Sequence, residues 1–381
     1  MLPLAAAPAL LAWTLAIGSC LHQEMPVPAL LSAAQAKPDV FAFLGDNVYN
    51  DLDGGGMPCE PIDCREKQGR LLPQLWSRLL SVLFGMLSRV FPSWAAATAT
   101  SVVRAHNARS GARDMEALAA AYEGLEHKPE FRALREAVPQ IIATWDDHDY
   151  CRNDAGADCP WANESQALFL QFWRGDDAQT IRGGRRGVHE AYSFVAERGR
   201  VVRVIVLDTR TWRSDHVLPT AGGATPAAPD AGTSPAAGGA RGADGADGAP
   251  SPGGGGTSAA AAGGDHCDAA DGAGGYCVQW SADATLLGEE QWAWLEEELR
   301  QPADVRIICS SISFGSQYNQ NGDEVWAIFP REQARMLALL HTTRARGVLF
   351  VSGDLHYAEL NELGVEHGAP YTLHDLSLIH I

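Results

Sequence analysis

The chain has 381 residues, enough for one large catalytic domain or two modest ones, and this length excludes a peptide-sized binder. Its 47 acidic side chains outnumber 29 Lys and Arg, and the resulting formal charge of −18 argues against a general nucleic-acid binder because it repels phosphate backbones. Hydrophobic residues make up 46% of the chain, which is sufficient for a sizeable core.

The N-terminal segment carries no charge over residues 1–19, and three interpretations compete for it. It could be a signal peptide, a lipoprotein leader in which Cys20 is lipidated, or a buried strand over 13–19 preceded by a leader remnant or extension over 1–12. A secretory leader normally starts with basic residues, whereas this chain has no Lys or Arg before Lys37. We therefore favour the strand.

A basic segment occupies residues 65–113, with eight Lys or Arg and one acid, a local charge of +7. Its apolar part, 71–94, could lie on a membrane surface. Because Pro73 and Pro92 bracket a helix of ordinary globular length, we favour a helical insert packed on the domain.

Apolar strands alternate with helices along the rest of the chain. In order, the patterns predict a helix at 28–36, a strand at 39–44, helices at 115–124 and 130–137, a strand at 140–144, a helix at 164–173, paired strands at 191–195 and 201–207, a helix at 289–299, a strand at 306–309, a helix at 331–346 and a strand at 348–351. This alternation predicts an α/β sandwich.

A low-complexity segment at 219–275 interrupts that pattern. It holds 17 of the 39 glycines in 57 residues and no Phe, Tyr or Trp, so it cannot bury enough apolar surface to offset chain entropy. We expect a disordered insertion into one domain rather than a second domain.

Six of the eight cysteines form close pairs in sequence: Cys59 with Cys64, Cys151 with Cys159, and Cys267 with Cys277. Each pair lies in a predicted loop, which predicts three local disulfides and an oxidising compartment. The protein is therefore expected to be secreted, at the cell surface or in the endomembrane lumen. Cys309 ends an apolar strand and is expected to be a buried thiol.

Three apolar strands end in acidic or histidine clusters: Gly45-Asp46-Asn47-Val48-Tyr49, Trp145-Asp146-Asp147-His148-Asp149 and Gly353-Asp354-Leu355-His356. A lone Asp after a strand is usually a turn or cap residue. Three clusters at one edge of a sheet would instead repel one another unless cations neutralised them. The donor set suits hard or borderline metal ions.

The order and spelling of these motifs resemble the calcineurin-like metallophosphoesterase superfamily and, within it, the PhoD-like alkaline phosphatases. Matching segments are Ile17 to Gln23, Phe43 to Tyr49, Thr144 to Asp149 with Asn153-Asp154, Leu207 to Arg210, Trp326 to Glu332, and Val351 to His356. The resemblance implies a four-layer α/β/β/α sandwich of two mixed sheets flanked by helices, over residues 13–375.

The resemblance also implies a ligand set. Asp46 would bridge two metal ions, with Cys20 as a thiolate and Tyr49 as a phenolate on the more Lewis-acidic ion. Asp147 would be the ligand of the central motif, with Asp146 or Asn153 as competing candidates. Asp354 and His356 would complete the site.

The implied cofactors are two divalent or trivalent metal ions, with Fe and Ca favoured and Zn, Mn or Mg as other fitting ions. Sulfur at Cys20 suits iron better than Mg. A metal-bridging hydroxide would attack phosphorus without a covalent enzyme intermediate.

Two further residues have alternative roles. His148 would protonate the departing alkoxide, or it is a structural histidine bonded to the backbone. Arg210 would bind phosphate as a bidentate donor, or its side chain pairs with Asp208.

The predicted function is hydrolysis of small phosphate monoesters or diesters, with no nucleic-acid recognition expected. The alternative is a non-catalytic phosphate-binding or surface module that keeps the fold. The last six residues, 376–381, depart from the family pattern, and we expect a truncated C-terminus with a non-native tail.

Overall fold

The computed structural model describes residues 13–50, 115–175, 182–217, 276–316 and 324–377. Several predicted features lie outside these ranges: the leader at 1–12, the basic insert at 65–113 with its apolar part 71–94, the low-complexity insert at 219–275, and residues 378–381 of the tail. Within the described ranges, no helix combines the length and apolar character needed to cross a bilayer.

The first sheet has three described strands, which are parallel and lie in the order β1-β2-β3. Their bounds are Leu15–Gly18 for β1, Val40–Leu44 for β2 and Gln140–Thr144 for β3. The strand predicted at 13–19 is therefore confirmed over its central residues.

The second sheet is mixed and has six strands in the order β4-β5-β6-β7-β9-β8. Their bounds are Glu190–Val195 for β4, Val201–Val206 for β5, Val305–Ser310 for β6, Val348–Ser352 for β7, Glu359–Leu363 for β8 and Leu373–Ser377 for β9. The four central strands are parallel, while β4 and β8 run antiparallel at the two edges. Strand β9 includes Leu376 and Ser377, the first two residues of the suspected tail.

Helices cover both outer faces of the sheets. Their bounds are Pro28–Ala36 for α1, 115–127 for α2, Pro129–Ala137 for α3, Asp147–Tyr150 for α4, Ala162–Arg174 for α5, Gly288–Arg300 for α6 and Pro330–Thr343 for α7, with 3-10 turns at Glu197–Gly199, Trp326–Ile328 and Val365–His367. Helices α1, α3 and α7 each begin with proline, whose fixed φ and missing N–H suit the first helical turn.

Strand β2 shows how the layers are built, because its successive side chains point to opposite faces. Phe41 and Phe43 belong to the core beneath the helices, whereas Val40 and Leu44 belong to a second core shared with Val204 and its neighbours in the other sheet. The second sheet packs its other face, including Ile308, against α6 and α7. Three cores between four layers confirm the predicted α/β/β/α sandwich. The first sheet, predicted to be mixed, is parallel over its described strands.

Of the predicted disulfides, Cys151–Cys159 is present. Cys277 is also disulfide-bonded, while its predicted partner Cys267 and the pair Cys59–Cys64 lie outside the described residues. Cys309 is a buried thiol at the end of β6, as expected.

Candidate metal centre

The loops after β1 and β2 are held together at the carboxyl ends of their strands. The backbone N–H of Cys20 donates to the Gly45 carbonyl at 3.1 Å, and that of Leu21 donates to the Asp46 carbonyl at 2.7 Å. Asp46 has φ 49° and Cys20 has φ 56°, so both residues turn the chain sharply as it leaves the sheet. The Asp46 side chain and the Cys20 thiol are both buried.

The ends of β3 and β7 approach the same point. A Cβ on Gly45 would lie 2.6 Å from the Cβ of Asp146, and a Cβ on Gly353 would lie 2.9 Å from the Leu44 carbonyl oxygen. Both glycines therefore allow backbones from different strands to meet closely. This contact places the three predicted clusters side by side.

Three overlapping groups of donor atoms result, each with its atoms within 4.8 Å of one another. The groups are Cys20 with Asp46 and His356, Asp46 with Asp147 and His148, and Asp46 with Asp146 and Asp354. Asp46 belongs to all three. Most of the residues that the sequence singled out therefore converge, although they follow four different strands.

Tyr49 lies at the site as a hydrogen-bond donor. Its hydroxyl donates to Asp46 Oδ2 at 3.2 Å, and its ring lies 4.5 Å from that of His148. Burial raises the pKa of Tyr49 well above its ordinary value, and the nearby Asp46 charge raises it further. The Tyr49 hydroxyl therefore lies within hydrogen-bonding distance of the carboxylate that the sequence predicts to bridge two metal ions.

Asn153 is exposed, and its side-chain amide donates to Asp154 Oδ2 at 2.5 Å. It is Asp154 that shares a group of close donor atoms with Asp147 and Glu324. The backbone N–H of Asp154 also donates to Asp147 Oδ2 at 2.6 Å. Asp154 therefore adds a carboxylate to the acidic cluster beside Asn153, which stays a predicted ligand.

The Arg210 guanidinium is completely buried among carboxylates. Its Nε donates to Asp146 Oδ1, Nη1 lies 2.6 Å from Glu324 Oε2, and Nη2 lies 3.9 Å from Asp147 Oδ1. Asp208 instead accepts the backbone N–H of Arg210 at 3.0 Å. The expected side-chain pair between Asp208 and Arg210 is therefore not formed, because the guanidinium turns toward the site.

His148 follows Asp147 in the short helix α4 and is half-buried. Its backbone N–H lies 3.0 Å from Asp147 Oδ1 and 3.4 Å from Asp46 Oδ1. One ring nitrogen also belongs to the group formed with these two carboxylates. The ring can therefore serve either as a ligand or as a proton carrier next to the ligands.

Comparison with known proteins agrees with this arrangement. The family model of the PhoD-like phosphatases matches residues 93–375, well over half of the chain. The chain belongs to the PhoD-like phosphatase family.

Among solved structures, one described as the structure of PhoD is similar to this PhoD-like chain, with TM-score 0.54 and 16% identity, covering 98% of this chain and 58% of that one. This chain thus spans less than two thirds of that protein. The structure of a dimetal phosphatase from Danio rerio matches with TM-score 0.43 and 10% identity. The match covers 97% of this chain and 88% of that one. No curated protein matches the sequence.

The electrostatics of this PhoD-like site favour bound cations. Burial raises the pKa of Asp46 and Asp354 well above the ordinary value, and the charges of neighbouring aspartates raise both further. Burial also raises the pKa of Asp146 to about 6, although Arg210 opposes this shift. Burial would raise the pKa of Asp147 too, but the Arg210 charge holds it below its usual range. The single positive charge of Arg210 does not neutralise the four carboxylates of Asp46, Asp146, Asp147 and Asp354.

The donor set itself fits metal ions. Asp146 Oδ1 accepts bonds from Arg210 and Ser311, while its Oδ2 is buried with no hydrogen-bond partner among the described residues. A buried oxygen without a partner is costly unless a cation approaches it. Thiol, imidazole and carboxylate donors together suit iron or zinc, and the carboxylate groups suit calcium.

Three residues that support the PhoD-like site have no role predicted from the sequence: Asp149, Asp154 and Glu324. Asp149 caps α4 and accepts a bond from the Asn47 amide at 2.5 Å, so it fixes the loop after β2 against α4. Asp154 was noticed only as part of a motif. Glu324 is buried beside Arg210 but lies in no recognisable pattern, and no local signal could have identified it.

Proposed function

We propose that this chain is a metal-dependent phosphatase or phosphodiesterase that hydrolyses small phosphate esters at a dinuclear centre. The observation that carries the proposal is the sharing of Asp46 among three close donor groups, in a member of the PhoD-like phosphatase family. A carboxylate has two oxygens and can bridge two ions, as a two-metal site requires.

The first ion would be held by Cys20, Asp46 and His356, whose sulfur and imidazole donors favour iron. The second would be held by Asp46 and Asp147, with further carboxylate oxygen from Asp146 or Asp354 nearby. Oxygen donors of this kind favour calcium, with Mn, Mg or Zn as substitutes.

When bound, such ions would supply Lewis-acid activation of the phosphate ester and of a water molecule. The chain's own part is to orient the ligands and to move protons. Tyr49 would orient Asp46 through its hydroxyl. His148, half-buried beside the carboxylates, would protonate the departing alkoxide.

Arg210 would act from behind the ligands, because it is completely buried and its guanidinium already faces Asp146, Asp147 and Glu324. This position supports an orienting role better than direct phosphate binding.

The test is turnover of p-nitrophenyl phosphate and bis-p-nitrophenyl phosphate by the full chain loaded with Fe, Ca, Mn or Zn. We expect turnover with at least one metal combination and its loss in Asp46→Asn. Asp283→Asn is the matched control, since Asp283 is exposed, lies in a turn and belongs to none of the donor groups. The ratio of the two substrates' kcat/KM gives the monoester or diester preference.

Folded wild-type chain without turnover under every metal condition would refute the enzyme proposal. Inorganic phosphate binding without turnover would instead indicate the non-catalytic phosphate-binding module.

We infer an oxidising location, either secreted, at the cell surface or in an endomembrane lumen. The disulfide Cys151–Cys159 and the disulfide-bonded Cys277 support this inference, because such bonds persist outside the reducing cytosol. Thiol labelling of protein taken directly from its native source would test it: modification of Cys151 without prior reduction would contradict the inference.

A further inference from the structure

Glu324 lies at the centre of a buried network of cations behind the donor groups. Its Oε2 is 2.6 Å from Arg210 Nη1, and its Oε1 is 3.4 Å from Arg213 Nη1 and in contact with His216 Nε2. Glu324, Arg210 and Arg213 are all almost entirely buried. Arg210, Arg213 and His216 thus contact both oxygens of the Glu324 carboxylate.

Arg210 connects this carboxylate to the candidate ligands. One edge of its guanidinium contacts Glu324, while the other contacts Asp146 and approaches Asp147 to 3.9 Å. The guanidinium is planar and rigid, so fixing one edge fixes the direction of the other. Glu324 restrains Arg210 as an ion-pair partner, since the contact between Nη1 and Oε2 does not have the geometry of a hydrogen bond.

The consequence for Asp146 is a fixed orientation. Arg210 and Ser311 both donate to Oδ1, with Ser311 Oγ at 2.6 Å, and Oδ2 is left without a hydrogen-bond partner among the described residues. An oxygen of Asp146 also lies within 4.8 Å of donor oxygens of Asp46 and Asp354. Oδ1 of Asp146 is thus held by hydrogen bonds, and Oδ2 is left to bind a cation, as a metal ligand requires.

We propose that Glu324 is a positioning residue of the metal centre, which acts through Arg210 on Asp146 and Asp147. Glu324 also shares a group of close donor atoms with Asp147 and Asp154, and we assign it to orienting Arg210 rather than to binding metal itself. A direct ligand role for Glu324 would instead predict wild-type metal affinity in Arg210→Lys. Outer residues that orient metal ligands commonly change metal affinity when they are replaced. The inference rests on the proposed function, because it assumes that the donor groups bind metal.

The test measures metal binding directly. Ca²⁺ and Mn²⁺ are titrated into the metal-stripped full chain by calorimetry, beside urea unfolding and steady-state kinetics. Glu324→Gln keeps the shape of the side chain and removes its charge, and we expect it to weaken metal affinity about 10- to 100-fold. At saturating metal, kcat should fall while KM changes less than about twofold, since substrate contacts are untouched.

Glu332→Gln is the matched control. Glu332 is also a buried carboxylate with several donors, but those donors belong to α6 and the loop before it, away from the donor groups. It should lose stability without a change in metal affinity. Arg210→Lys should behave like Glu324→Gln, whereas a phosphate-binding Arg210 would raise KM and leave the metal affinity unchanged.

Should Glu324→Gln fail to fold, the double variant Arg210→Met with Glu324→Leu removes the paired charges together, while the Arg213 guanidinium still donates to the Asp154 carbonyl. It should also show weakened metal affinity, because Asp146 loses Arg210 and keeps only Ser311 as a donor. Wild-type metal affinity in either folded variant would overturn the positioning role while leaving the proposed function intact. A wild-type chain that binds neither ion and shows no turnover with Fe, Ca, Mn or Zn would overturn both.

Discussion

Replacing Gly45 with alanine should damage both the stability and the metal site. Gly45 has φ +107°, a conformation that L side chains rarely adopt, and an added Cβ would lie 2.6 Å from the Cβ of Asp146 and 3.0 Å from that of Ser311. The backbone strain is about 1–3 kcal/mol. Overpacking of the junction adds about 1–3 kcal/mol. Together they remove about 2–6 kcal/mol from a total stability on the order of 5–15 kcal/mol.

The matched control is Gly347→Ala. Gly347 has φ +64°, and an added Cβ would lie 2.4 Å from the carbonyl oxygen of Asp304. It precedes β7, so the strain falls at the opposite end of that strand from Asp354. Gly347→Ala should therefore lose a similar free energy of unfolding and keep its metal.

The assay is urea unfolding followed by tryptophan fluorescence, with metal content measured per folded chain at low temperature. Gly45→Ala should lose both stability and bound metal, because the new methyl group pushes Asp146 away from the other donors. Wild-type stability in Gly45→Ala would refute the argument from backbone conformation. Equal loss of metal in Gly347→Ala would show that the loss follows stability and not the displacement of Asp146.

Three further predictions concern stability. His189 is buried between two tryptophans, and burial lowers its pKa to about 3. The unfolded chain therefore binds the proton first, at a pKa of about 6.5, so this stability is present above that pH and falls by about 2–3 kcal/mol between pH 7 and 4.5. His189→Phe should flatten that part of the pH dependence of urea unfolding, and an unchanged slope would contradict the prediction. Replacing Cys151 and Cys159 with alanine should lower the free energy of unfolding by about 2–3 kcal/mol, from the entropy of the opened loop, as thermal unfolding would show; an unchanged Tm would exclude this contribution. Glu332→Ala should cost about 3 kcal/mol in urea unfolding, because the Trp292 indole and two backbone amides lose their acceptor. Its kcat at low temperature should equal that of the wild type, and a large drop would place Glu332 in the site.

Long apolar patterns made most of the fold predictable. The helix at 28–36 and the strand at 140–144 have the predicted bounds, because both are apolar segments ended by strong local signals. Strands β8 and β9 were not predicted. Their sequences, ELNEL and LHDLS, mix polar and apolar residues, and they are strands because each pairs with a neighbour in the sheet.

The donor residues of the candidate site could be predicted where they belong to a recognisable motif. Asp46, Asp147 and His356 follow strands in recognisable clusters, and all of them join the shared donor groups. The sequence left two roles open for Arg210 and predicted no role for Glu324. Whether a buried arginine faces a substrate or a carboxylate depends on residues brought to it from elsewhere in the chain.

The sequence by itself therefore determined the α/β class, the strand ends that carry the chemistry and the PhoD-like resemblance, since each depends on local pattern and order. Only the tertiary structure decided that Asp154 and Glu324 join Asp147 in an acidic cluster and that the Arg210 guanidinium contacts Asp146 and Glu324. The class and the strand ends follow from the spacing of apolar residues and from turn residues, both of which are local in the sequence. The partners of a buried charge are set by desolvation, which makes the nearest opposite charge decisive wherever it lies in the sequence.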